Sequence, residues 1–111
     1  MAFLGRWLSR KDVPDADQFD PLIEGTVLLA EAPDRRPVSL RLEVKAVGVA
    51  PRPTGAWLEV TAADASGEVL LTWMGRRAIA GVTPGRRLRV DGRIASDAGR
   101  RRIYNPSYAL L

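Results

Sequence analysis

The sequence predicts a mainly β domain: a five-stranded barrel with a short helix between strands three and four and one or two helices ahead of the first strand. Three observations carry this. Val38, Leu40, Leu42 and Val44 alternate with Ser39, Arg41, Glu43 and Lys45, the two-residue period of a half-buried strand. The run Val69-Leu70-Leu71-Thr72-Trp73-Met74 is unbroken between Gly67 and Gly75, as a strand covered on both faces is. Pro51, Pro53, Gly55, Pro84-Gly85 and Gly92 punctuate the remainder at short intervals, which leaves room for strands and turns but not for long helices.

Taken in order, Phe3, Leu4, Trp7 and Leu8 fall on one face of a short helix, with Arg6, Arg10 and Lys11 away from it. Two uses fit that face: packing on the barrel, or docking on a membrane surface or a partner. Residues 12–19 read as an acidic linker. Asp20 caps a second helix with Pro21 in its first position and Leu22, Ile23, Val27 and Ala30 as its stripe, ending near Ala32 and Pro33. Residues 1–35 are net −3 and residues 36–111 net +7, which sum to the total of +4. The chain thus divides into an N-terminal helical and acidic leader, 1–34, and a basic domain, 35–111.

The first strand is expected to run on through Val47 and Val49 until Pro51, Pro53 and Gly55 break it. The second covers 56–63, with Leu58, Val60 and Ala62 alternating with Trp57, Glu59, Thr61 and Ala63. A four-residue turn at 64–67 sets its register with the third strand. Ala62 pairs with Val69, Val60 with Leu71 and Leu58 with Trp73 facing inward; Trp57 pairs with Met74, Glu59 with Thr72 and Thr61 with Leu70 facing outward. Residues 76–82 supply about one helical turn before Thr83-Pro84-Gly85. The fourth strand spans 86–95, with Leu88, Val90 and Ile94 on one face and Gly92 where a barrel strand bends. After a turn at 96–99 the fifth strand includes Ile103, Tyr104, Asn105 and Tyr108, and Pro106 confines it to an edge or breaks it.

Five strands with a helical link between the third and fourth are the layout of an OB-fold barrel. The order Ser66-Gly67, Trp73, Gly75-Arg76-Arg77, Gly81, Pro84-Gly85, Leu88, Gly92, Asn105-Pro106, Tyr108 resembles small stand-alone bacterial OB-fold nucleic-acid-binding domain proteins. It is more remotely similar to the OB-type wedge domain of RecG-like helicases. The resemblance covers about two thirds of the chain and implies nucleic-acid binding; it transfers no list of site residues.

Composition narrows the chemistry. With no His and no Cys there is no disulfide, no thiol nucleophile, no Ser-His triad and no zinc site of the usual kind. The acids fall singly along strands or in the N-terminal cluster, so neither catalysis nor a cofactor is expected. No apolar run reaches the ~18 residues of a membrane span and residues 1–11 lack a signal-peptide core, so a cytoplasmic protein with no membrane partner is expected. Of 17 cations, 15 are Arg. Arg matches phosphate and base edges, and the same bias arises from genome composition; both readings stand.

Single strands are held by bases stacked on aromatic rings within a basic groove. The candidates for stacking are Trp57 and Tyr104, with Tyr108 as a third. The candidates for phosphate are Arg52, Arg76, Arg77, Arg93, Arg100, Arg101 and Arg102, with Arg93 expected beside Tyr104. Aromatic residues are 6% of the chain, so stacking is limited and sequence specificity small. The expected function is non-catalytic binding of single-stranded or branched DNA, or of RNA. The alternative is an adaptor that takes a protein partner, through the N-terminal helices or exposed strands, without touching nucleic acid.

Overall fold

The computed structural model describes residues 25–111. The expected helix at Phe3 to Leu8, the acidic linker, and the cap and first residues of the expected second helix lie outside the described residues. The protein is mainly β: β1 (Pro37–Arg52), β2 (Gly55–Asp64), β3 (Gly67–Met74), β4 (Arg87–Arg93), β5 (Ala95–Asp97), β6 (Arg100–Tyr104) and β7 (Ser107–Leu110) form one sheet. Its hydrogen-bonded order is β5-β6-β3-β2-β1-β4-β7. Neighbours run antiparallel except β3 and β6, which are parallel.

A seven-stranded mixed open sheet thus replaces the expected five-stranded OB barrel. The expected fourth strand is divided at Ile94, which bridges to Asp34, into β4 and β5. The expected fifth is divided at Asn105 and Pro106 into β6, on the edge of β3, and β7, on the edge of β4. Pro106 has no N–H for a ladder and Asn105 takes φ 50°, a conformation that Asn tolerates better than most residues.

The helix expected at 76–82 is also absent. One turn is too short to hold itself, and the segment is held instead by a main-chain turn, Val82 N–H donating to Ile79 O at 3.0 Å, and by the Ile79 and Val82 side chains, which are buried in the core. Gly81 sits at φ 85°, a left-handed conformation that glycine takes without strain, and Leu110 Cδ1 lies 2.5 Å from where a Cβ would stand, so the link packs closely on β7.

From Gly25 onward the second expected helix does not form. Gly25 has φ 78°, Thr26 bridges Ser39 in parallel, and Val27 N–H donates to Ser39 O at 3.0 Å. Only Leu29–Glu31 makes a 3₁₀ turn. Glycine and two β-branched residues disfavour helix here, and the main chain finds partners elsewhere. Leu29 N–H donates to Asp64 Oδ2 at 2.8 Å and Ala30 N–H to Ser66 Oγ at 2.9 Å. The turn between β2 and β3 therefore fixes this segment, and Leu29 enters the core from it.

The core lies on one face of the sheet and draws Leu40, Leu42, Val44, Leu58, Val60, Leu71, Trp73, Leu88, Val90, Ile94 and Ile103 from β1, β2, β3, β4, the β4–β5 junction and β6. In β1 the apolar positions are even-numbered up to Val44 and odd-numbered at Val47 and Val49. The change of phase is met by a bulge: Val44 pairs with Ala62 and Ala46 with Thr61, leaving Lys45 unpaired between them. Beyond it, Ala46 to Arg52 pair only with β2 among the described strands, and Val47 and Val49 are 39% and 44% exposed. The β2–β3 register agrees pair for pair with the one read from the sequence, from Trp57 with Met74 to Ala62 with Val69. Trp73 is accordingly buried, at 5% exposure.

Candidate functional site

Four of the nine expected site residues come together on the outer face of β1–β2–β3–β6. The β2–β3 register turns Trp57, Glu59 and Thr72 to this side. The parallel pairing of β6 sets Arg102 beside Leu70 and Tyr104 beside Thr72. Trp57 and Tyr104 meet edge to face, with centroids 6.2 Å apart and planes at 80°, the arrangement that ring quadrupoles favour. Arg52, at the tip of β1, lays its guanidinium carbon 4.4 Å from the Trp57 centroid. Arg102 stands 5.3 Å from the Tyr104 centroid. Both lie within the ~6 Å reach of a cation–π contact.

Glu59 completes the group, and the sequence reading did not select it. Its Oε2 is 3.8 Å from Arg52 Nη2 and 3.8 Å from Arg102 Nη1. Thr72, beneath it, is fully buried with its hydroxyl unpartnered among the described residues, as is Arg102 Nε. Position alone could have named Glu59, since it stands two residues from Trp57 on the same strand face. What the sequence could not show is that β6 would bring Arg102 across to it.

Strand alternation sorts the other arginines. Arg100, Arg102 and Tyr104 share one face of β6, and Arg100 is exposed near the β5–β6 turn. Arg101 faces the opposite way and is structural: it donates to Leu29 O at 2.6 Å, to Ala32 O, and to Asp34 Oδ1 at 2.9 Å. Arg93 lies on β4, where it pairs with Pro37 and donates to Arg35 O at 3.0 Å. The guanidinium beside Tyr104 is therefore that of Arg102, not of Arg93. Arg76 and Arg77 are exposed in the loop after Met74, next to the Trp57 end of the cluster. Tyr108 is apart from it, with its ring edge to face with Trp73 at 5.8 Å.

Asp34 in this structural set has a carboxyl whose titration is displaced from its ordinary value. The Ser96 hydroxyl donates to Asp34 Oδ2 at 2.7 Å; that bond first, and the Arg101 bond second, hold the Asp34 carboxyl below its ordinary value. Among the described residues no group of three Asp or Glu side chains converges to hold a metal ion, and no helix is long and apolar enough to cross a membrane. Comparison with known proteins matches no family model and no curated protein.

Proposed function

We propose that the protein is a non-catalytic nucleic-acid-binding module that takes single-stranded or branched DNA, or RNA, on the outer face of β2, β3 and β6. The observation that supports this is the pairing of two partly exposed rings, Trp57 and Tyr104, with two guanidiniums held over them. Rings offer any base a stacking surface, and guanidiniums offer the phosphate a charge-assisted, bidentate partner. Arg76, Arg77 and Arg100 extend the positive strip beyond both ends of the cluster. Two rings make a small platform, so phosphate contacts dominate and base selectivity is slight. The test is a titration with single-stranded and duplex DNA and RNA at two salt concentrations. Tighter binding to single strands, weakening steeply with salt, supports the proposal; salt-independent binding or none counts against it.

A second reading, a protein-interaction module, has one observation in its favour. The stretch Ala46 to Arg52 has strand pairing on one side only among the described residues, with Val47 and Val49 exposed along it. An open strand edge is a template for an added strand.

A further inference from the structure

Glu59 is an anion between Arg52 and Arg102, the two cations closest to the stacking rings. Both ion pairs, at 3.8 Å, are longer than a hydrogen bond. The side chains of Arg52, Glu59 and Arg102 are 38%, 28% and 16% exposed, so solvent reaches the Arg52 pair more than the Arg102 pair, and neither has the close geometry of a strong charge-assisted bond. A single carboxylate oxygen serves both guanidiniums, and Arg102 Nε goes unpartnered among the described residues. The cations are thus held in place but not saturated.

Resting on the nucleic-acid reading above, we propose that Glu59 is a built-in competitor for phosphate. In the free protein it keeps Arg52 and Arg102 gathered over Trp57 and Tyr104. On binding, a backbone phosphate, with more acceptor oxygens than one carboxylate can offer, takes its place between the two guanidiniums. The exchange lowers the affinity for any polyanion, so stacking on the rings decides which ligands are kept.

The experiment is fluorescence anisotropy of a labelled single-stranded oligonucleotide titrated with wild type, Glu59→Gln, Glu59→Ala and Glu31→Gln at several salt concentrations, with thermal unfolding of each protein. Glu31 is an exposed acid on the 3₁₀ turn that Arg101 holds from the face opposite Arg102, so Glu31→Gln makes the same change in net charge away from the two arginines. Expected is a gain of about 3–10-fold for Glu59→Gln at low salt and a salt slope steeper by about 0.7–1.4, one to two phosphate contacts on a single strand. Glu59→Ala should follow it, and Glu31→Gln should stay within about twofold of wild type. Wild-type binding that Glu59→Gln leaves unchanged or weakens overturns the inference and leaves the nucleic-acid reading standing, as does an equal gain from Glu31→Gln. Absence of binding by wild type overturns both.

Discussion

The indole N–H of Trp73 donates to the main-chain oxygen of Pro106 at 3.0 Å, in the buried interior. This bond ties β3 to the corner where the chain leaves β6 for β7. Asn105 reinforces it from either side, donating its own N–H to Thr72 O at 2.6 Å and accepting the Met74 N–H on Oδ1 at 2.9 Å. Trp73→Ala removes the ring, the bond and the edge-to-face contact with Tyr108. Expected is a loss of about 3–5 kcal/mol in denaturant unfolding. Trp73→Phe should recover part of that, since it keeps most of the ring and loses the N–H. A Trp73→Ala protein as stable as wild type would contradict the buried assignment.

How far the fold was legible follows from which contacts are local. Alternation and one tight turn determine the β2–β3 register, and Trp57 outward with Trp73 inward follows from the turn at Asp64 to Gly67 alone. The splitting of the last two expected strands depends on long-range partners. Ile94 leaves the ladder for Asp34, and the Asn105-Pro106 corner moves the chain from β3 to β4, neither of which has a periodic signature. The same limit applies to the site. Trp57 and Tyr104 could be named from the sequence as outward aromatics, and Arg102 beside Tyr104 follows from alternation within one strand, but Glu59 between two arginines exists only because β6 lies alongside β3. Helix patterning misled at residues 25–32, where apolar spacing suited a helix while Asp64 and Ser66 captured its N–H groups.

Arg101 is expected to matter for folding and not for binding. Its donors satisfy two main-chain carbonyls and Asp34 from the face opposite Arg102. Arg101→Ala should cost about 1–3 kcal/mol of stability, the scale of charge-assisted hydrogen bonds lost at partly buried acceptors. Arg101→Lys should recover little, because an ammonium cannot span three acceptors set out for a planar fork. Nucleic-acid affinity measured on the folded fraction should change little; a large loss would place Arg101 in the interface.

Asp34 gives a pH signature with a definite sign. Its carboxyl is lowered below the ordinary 3.8 in the folded protein. The stability it contributes is therefore present above the ordinary aspartate range and lost as pH falls through the folded value. Asp34→Asn should melt below wild type at pH 6, and the two melting temperatures should converge as pH is taken below about 3.8. A difference that is constant from pH 6 to pH 2.5 would exclude the carboxylate as its source.

Thr72 is a position where the outer face sacrifices stability. Its hydroxyl is buried without a partner among the described residues, and valine has nearly the same shape. Thr72→Val should raise stability by about 1 kcal/mol, read as a higher melting temperature. A fall would mean that the hydroxyl is satisfied.

The central claim is that Trp57 and its neighbours form a stacking and phosphate-binding surface while Trp73 serves the core. The most direct measurement is anisotropy of a labelled single-stranded oligonucleotide titrated with wild type and Trp57→Ala at low and moderate salt, with the melting temperature of each protein recorded alongside. Expected is wild-type binding that weakens with salt, and a Trp57→Ala protein that melts close to wild type yet binds about 5–150-fold more weakly, the loss of about 1–3 kcal/mol expected for one stacked base. Affinity unchanged in Trp57→Ala, or no binding by wild type at low salt, would contradict the claim.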